Sequence, residues 1–173
     1  NLGKKIIELD DEKINNLINL NEKISGNMNL NINKIHSSHG LIKSMESKIK
    51  FINRDILIEK MLFDLGKLGA ADITGMITNN SKFVFKKNIF IDNVKYFYNK
   101  FGIYNKGTQA ENLFVSGAFN LKRKKIYFNE VSNEKKIHKE DLIFYENQFN
   151  ETLLEEGYKT LFNFLKLKEF VEI

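Results

Sequence analysis

The sequence of 173 residues contains no cysteine, no proline and no tryptophan, and it has only two arginines, Arg54 and Arg123. The absence of cysteine excludes disulfide bonds, thiolate metal sites and cysteine nucleophiles. Lysine makes up the remainder of the 27 basic residues, and it occurs in a chain that is also rich in asparagine. This bias is typical of A+T-rich coding sequences, so the lysine content alone is weak evidence for binding to nucleic acid.

Long apolar runs are missing as well. No stretch approaches about 18 consecutive apolar residues, so no membrane-spanning helix is expected. Asp10, Asp11 and Glu12 interrupt any apolar core of a signal peptide, which favours a cytoplasmic location. The length fits one ordinary domain or two small ones, and no motif predicts a cofactor.

The charge is distributed unevenly along the chain. Residues 81–129 hold ten basic residues and only two acidic ones, Asp92 and Glu111. Residues 1–80 are nearly balanced, and residues 130–173 are acidic. Codon bias supplies lysine everywhere and does not explain why acids are scarce in the middle, so the middle segment is the first candidate for a functional surface.

The N-terminal half is predicted to be mostly helical. Asp10 and Asp11 can cap a helix over 11–25, and apolar residues at spacings of three and four predict a long helix over 41–66. On that helix we expect four side chains to be buried: Met45, Ile49, Ile52 and Ile56. Between the two helices, "NMNLNIN" at 27–33 alternates with period 2. It fits either a short strand or a continuation of the first helix, and both alternatives stay open.

The second half is predicted to form a small sheet. Strands are expected at 82–91, 112–119 and 124–131, with a short helix at 93–101 between the first two. Two helices then close the chain, at 139–149 and 151–170. The expected fold class is α+β, with N-terminal helices, a small and mostly antiparallel sheet with one inserted helix, and two C-terminal helices. The expected division is a helical segment, 1–80, and a basic α/β segment with closing helices, 81–173, packed as one unit.

The basic middle segment predicts a non-catalytic protein that binds nucleic acid, RNA or single strands, as part of a larger assembly. Lysines neutralise phosphates, and exposed aromatic side chains stack on unpaired bases. The prediction requires the basic side chains of the segment to share one exposed face. The candidate residues are Lys86, Lys87, Lys122, Arg123, Lys124, Lys125 and Tyr127.

Two other functions remain open. One is a protein–protein interaction module that uses the amphipathic N-terminal helices. The other is a small metal-independent ribonuclease, with Glu130 as the general base, His138 as the general acid, and Arg123 or Lys124 as the cation that stabilises the phosphate.

One pair of histidines has metal-ligand spacing. His36 and His39 are three residues apart, a spacing that binds zinc when both lie on a helix. A site needs at least one more ligand, and the sequence offers none, so no metal is expected.

Overall fold

The described part of the chain forms one antiparallel sheet in which each strand pairs with the next along the sequence. A computed structural model describes residues 24–35, 41–100, 102, 111–133 and 135–157. The elements are β1 (Gly26–Ile32), β2 (Ser44–Ile52), β3 (Asp55–Asp64), a 3₁₀ turn (Gly66–Leu68), β4 (Gly69–Ile77), β5 (Lys82–Ile91), α1 (Val94–Lys100), β6 (Glu111–Asn120), β7 (Lys125–Asn133), the two-residue β8 (Lys135–Lys136) and α2 (Lys139–Glu156).

The predicted α+β fold with N-terminal helices and a small sheet is wrong, because the sheet runs through almost all of the described chain. The largest single error is the helix expected over 41–66. This segment is the hairpin of β2 and β3, which turns at Asn53 and Arg54 with φ angles of 47° and 73°. Two consecutive residues with positive φ match the twist of a two-residue hairpin.

The four side chains expected in the helix core also lie elsewhere. Met45, Ile49 and Ile56 are half-buried on the hairpin, and Ile52 is exposed. Met45 and Ile49 are four residues apart, which is a helical repeat but also an even number. The spacing therefore puts both on one face of a strand equally well, and pairing with β1 and β4 decides the outcome.

Other parts of the prediction agree with the structure. The stretch at 27–33 is the strand β1, so the alternative of a continuing helix is wrong there. Strands β5, β6 and β7 and the short helix α1 lie within two residues of their expected bounds. The first closing helix extends into the second as α2. Most of the helix expected over 11–25 and the end of the second closing helix lie outside the described residues.

The register divides the sheet into two faces, because successive side chains of a strand point to opposite sides. Register partners place the odd-numbered residues of β2, β4, β5 and β6 on one side, together with the even-numbered residues of β1. Bulges in β3 and β7 shift the parity of those two strands. We call this side the apolar face, because nearly all of its side chains are aliphatic or phenylalanine. We call the opposite side the polar face.

Helix α2 closes the sheet at β7. The side-chain amide of Asn150 accepts a hydrogen bond from Ile126 N at 2.7 Å and donates one to Ile126 O at 3.1 Å. Phe128 N donates to a carboxylate oxygen of Glu146 at 3.1 Å. Leu153, only 1% exposed, packs with Phe119, Leu121 and their neighbours on the apolar face. The sheet edge at β7 is therefore capped by side chains, and α2 covers this end of the apolar face.

Candidate functional site

Two polar side chains interrupt the apolar face away from its margins. The margin carries Glu111 and Asn133, which are hydrogen-bonded to each other. In the interior of the face, the polar residues of the described strands are Lys87 on β5 and Ser47 on β2. An apolar surface with a small number of fixed polar groups is the usual composition of a ligand-binding site.

Lys87 lies among aliphatic side chains. Its register partners on the neighbouring strands are Ile73 and Val115, and the residues two positions away on its own strand are Phe85 and Ile89. The side chain is half-buried, and desolvation by the surrounding protein lowers the pKa of its ammonium group. No carboxylate contributes to the shift. Within the described residues, Lys87 thus has an ammonium without a countercharge.

Ser47 lies in the same register row as Lys87. The row runs from Ser47 through Met61 and Ile73 to Lys87. Three steps between strands separate the two residues by about 14 Å. Ser47 is 1% exposed, and its hydroxyl has no hydrogen-bond partner in the part of the chain that the structure describes. A buried hydroxyl without a partner costs free energy, so the row contains two unsatisfied polar groups on an apolar background.

The apolar face is poorly buried for a hydrophobic core. Most of its side chains on β2 to β7 are half-buried, and Met28 and Leu30 on β1 are exposed. Ile58, Ala71, Ile91 and Phe119 are the apolar side chains of the strands that reach full burial. A surface of this kind can still bury additional apolar area against another molecule.

The polar face carries a different feature, a row of apolar side chains across five strands, three of which are exposed. Each member is the register partner of the next one on the neighbouring strand: Tyr127 pairs with Ala118, Ala118 with Val84, Val84 with Met76, and Met76 with Leu57. Tyr127, Val84 and Met76 are exposed, and Lys125 lies with its ammonium 5.3 Å from the centre of the Tyr127 ring. We call this row the apolar stripe.

Charges on the polar face are separated along the strands. On strands β2 to β7, the lysines of the polar face lie in the register rows near the Asn53–Arg54 and Leu121–Lys124 turns: Lys48, Lys50, Lys60, Lys82, Lys86 and Lys125. The two rows at the other end hold acids and, on β2 to β7, no lysine, although Lys136 of β8 is the register partner of Ser132 in one of them. These acids, Glu46, Asp64 and Asp72, line an open groove of about 400 Å³. Asp72 already accepts hydrogen bonds from Asn88, and Asp64 accepts one from Gly66 N.

The residues expected to bind nucleic acid do not share one face. Lys86 is exposed on the polar face and Lys87 lies on the apolar face. Lys125 and Tyr127 begin β7, and the turn before it carries Lys122, Arg123 and Lys124.

The surroundings of these side chains do not favour a polyanion either. Among the other lysines of the polar face, Lys50 and Lys60 already form ion pairs with Glu59 and Glu46. Glu130 lies in the same register row as Lys86, one strand beyond Ser116. Because the basic side chains are divided between two faces and interspersed with acids, the structure does not support the prediction of nucleic-acid binding.

The expected ribonuclease residues are not brought together. Glu130 lies toward the far end of β7, whereas Arg123 and Lys124 lie in the turn before that strand. Six residues of extended chain separate Lys124 from Glu130 by about 20 Å. His138 precedes α2, beyond the far end of β7. A cation and a base that must contact one phosphate cannot act across such a distance.

Metal and membrane predictions have separate outcomes. His36 and His39 lie outside the described residues. Across the described ranges, no group of three or more potential metal-ligating side chains comes together. No helix in the same ranges has the length and apolar character needed to cross a membrane.

Comparison of the sequence and the structure with known proteins finds no relative. No family model matches the sequence, and no curated protein and no solved structure is significantly similar to it. The two faces of the sheet are therefore the features from which a function can be inferred.

The sequence analysis assigned Lys86 and Lys87 to the same binding surface and did not predict that they lie on opposite faces of the sheet. The signal was present in "FVFKKNIFI", because alternation from Phe83 and Phe85 continues through Lys87 to Ile89. Ser47 was missed for another reason, since its burial depends on the pairing of β2 with β1 and β3.

Proposed function

We propose that the protein is a non-catalytic binding module whose apolar face holds the hydrocarbon part of an anionic amphiphile, with Lys87 as the countercharge. The observation that carries this proposal is an ammonium group that has no partner among the described residues, in the middle of an apolar face that those residues bury incompletely. The expectation of non-catalytic binding is kept. The ligand class changes, because the basic residues are divided between the faces.

Energetics favour an anionic head group over a neutral one. A lysine that is desolvated without a countercharge is in an unfavourable state, and a bound carboxylate or phosphate relieves it. A hydrogen bond that involves a charged group is worth about 1.5–3 kcal/mol. The hydrocarbon chain contributes about 0.8 kcal/mol for each buried methylene.

Ser47 adds a second polar point to the same row. Its hydroxyl is covered by neighbouring side chains, so a ligand must displace them before the hydroxyl can donate to an ester or carbonyl oxygen, about 14 Å from the strand position of Lys87. Ile73 and Met61, which lie between Ser47 and Lys87, would contact the hydrocarbon segment.

The test compares dodecanoate with dodecanol, below the critical micelle concentration, on the wild-type protein and on Lys87→Met. Binding is followed by displacement of the neutral dye Nile red, which itself carries no charge for Lys87 to recognise. We expect the wild type to bind dodecanoate and Lys87→Met to bind it about tenfold more weakly. Dodecanol should bind both proteins equally.

Lys86→Met is the matched control, because it removes the same charge from the next residue of the same strand but from the polar face. It should leave the affinity for dodecanoate unchanged. Equal loss of affinity in both variants would mean that net charge, and not the position of Lys87, attracts the ligand. No binding to the wild type would contradict the proposal directly.

A second candidate function is supported by the apolar stripe on the polar face. Exposed apolar side chains in a continuous row, flanked by Lys82, Lys86 and Lys125, fit an acidic amphipathic segment of a partner protein. The proposed interaction surface then lies on the sheet, and not on the N-terminal helices that the sequence predicted. An acidic amphipathic helical peptide should bind the wild type and not Met76→Asp, and binding should weaken with salt. Equal binding to both proteins would exclude the stripe.

A further inference from the structure

The two edge strands of the sheet differ in whether their outer backbone groups have hydrogen-bond partners among the described residues. At β7, side chains of Asn150 and Glu146 bond to the backbone of the strand, and β8 pairs with its end. At the other edge, β1 pairs with β2 on one side, and no described residue pairs with its other side. Its residues from Gly26 to Leu30 are all exposed.

Strand β1 lacks the features that prevent an edge from pairing with another strand. Edge strands are usually blocked by proline, by charged side chains, by bulges or by very short length. The sequence "GNMNLNI" of β1 has no proline and no charge, and the strand is seven residues long. Its pairing with β2 proceeds without a register shift, so no bulge interrupts it. An uncharged, regular edge of this length is a template for another strand.

The sequence of β1 is complementary to itself in the antiparallel direction. If two copies pair about Asn29, Met28 of one lies opposite Leu30 of the other, and Asn27 lies opposite Asn31. Apolar side chains then meet apolar ones on one face, and asparagines meet asparagines on the other. No like charges meet, which is the interaction that would oppose such pairing.

We propose that β1 is a strand-pairing interface whose partner is a second copy of this chain, joined in the antiparallel direction about Asn29. A two-fold axis perpendicular to the sheet keeps the apolar faces of both copies on the same side. The joined sheet has one continuous apolar face, and Met28 and Leu30 become interior to it. This inference does not depend on the proposed ligand.

The absence of cysteine makes a disulfide test specific. Asn29→Cys places one thiol opposite its copy, where paired Cα atoms are about 4.5–5.5 Å apart, within the range that a disulfide bridges. Asn129→Cys is the matched control, because it introduces the same exposed residue on β7, beside the capped edge. We expect covalent dimers from Asn29→Cys under mild oxidation and monomers from Asn129→Cys. Equal cross-linking of the two variants would show that collisions, and not pairing, produce the dimers.

A second variant tests strand pairing without a covalent cross-link. Leu30→Lys places a charge on the inner side of the edge strand, a device that blocks strand pairing. Leu30 is exposed in the single chain, so the variant should keep the fold of the single chain, which circular dichroism checks. Sedimentation velocity should show a dimer for the wild type at micromolar concentration and a monomer for Leu30→Lys. A monomeric wild type overturns the proposal, and if the β1 amides that point away from β2 are protected from hydrogen exchange, another part of the chain covers the edge.

Discussion

Lys86 and Lys87 are neighbours on β5, yet they lie in opposite environments. Lys86 is exposed on the polar face, among Thr74 and Ser116. Lys87 is half-buried on the apolar face, among Ile73 and Val115, and desolvation lowers its pKa. The same type of side chain is therefore a solvated cation on one face and, on the other, a partly desolvated cation with no countercharge among the described residues. The face on which a lysine lies, and not the local density of charge, therefore decides its environment in this sheet.

The largest effect is expected where the apolar face is covered by α2. Leu153 is 1% exposed, and its neighbour Leu154 is 67% exposed. Leu153→Ala should lower the free energy of unfolding by about 2–5 kcal/mol, because it leaves a cavity against Phe119 and Leu121. Leu154→Ala should change it by less than about 0.5 kcal/mol. Urea unfolding measures both, and equal effects would mean that α2 does not pack on this face.

A smaller loss is expected from uncapping the edge at β7. Asn150→Ala removes both side-chain hydrogen bonds to Ile126, leaving its N–H and C=O without partners. Each unsatisfied group costs about 1–3 kcal/mol when buried, and the half-buried position of Ile126 favours the lower value. Hydrogen exchange should show faster exchange of the Ile126 amide than in the wild type. Unchanged exchange would show that α2 does not protect this edge.

Lys87→Met should have the smallest effect on stability, and in the stabilising direction. The lowered pKa means that the unfolded chain binds more protons between this pKa and the ordinary value of 10.5. Wild-type stability therefore rises with pH through that window, and the full penalty is present at neutral pH. Removing the charge should raise the free energy of unfolding by about 1 kcal/mol at pH 7, because a half-buried side chain retains part of its hydration.

The matched variant Lys86→Met should leave both the stability and its pH dependence unchanged. Thermal melts from pH 7 to pH 10.5 measure the two variants side by side. A Lys87→Met protein that is less stable than the wild type would mean that the ammonium has a stabilising partner. Gain of stability with loss of ligand affinity is the combination expected of a residue retained for binding.

The sequence predicted strands well where alternation was strict and β-branched or aromatic residues were frequent, as in β5 and β7. It failed at the hairpin of β2 and β3, because even spacings such as Met45 to Ile49 satisfy both a helix and a strand. The two turn residues are Asn53 and Arg54, so no glycine in the sequence marks the positive φ angles that the hairpin needs.

Positions of the site residues were harder to predict than the strands. Alternation assigns residues to two sides of one strand, but only pairing between strands decides which sides share a face. The bulges in β3 and β7 change this parity within a strand, and "NEV" at Asn129–Val131 gives no sign of one. The row that joins Ser47 to Lys87 crosses four strands, so no local pattern contains it.

Methyl NMR with a spin-labelled fatty acid tests most directly whether the apolar face is the ligand-binding surface. Methyl groups distinguish the faces, because Ile73 and Val115 lie beside Lys87 on the apolar face, whereas Leu57 and Val84 belong to the apolar stripe on the polar face. We predict that the bound label broadens the Ile73 and Val115 signals more strongly than those of Leu57 and Val84, because broadening falls steeply with distance and the second pair lies across the sheet. Broadening confined to Leu57 and Val84, or equal broadening on both faces, would contradict the assignment.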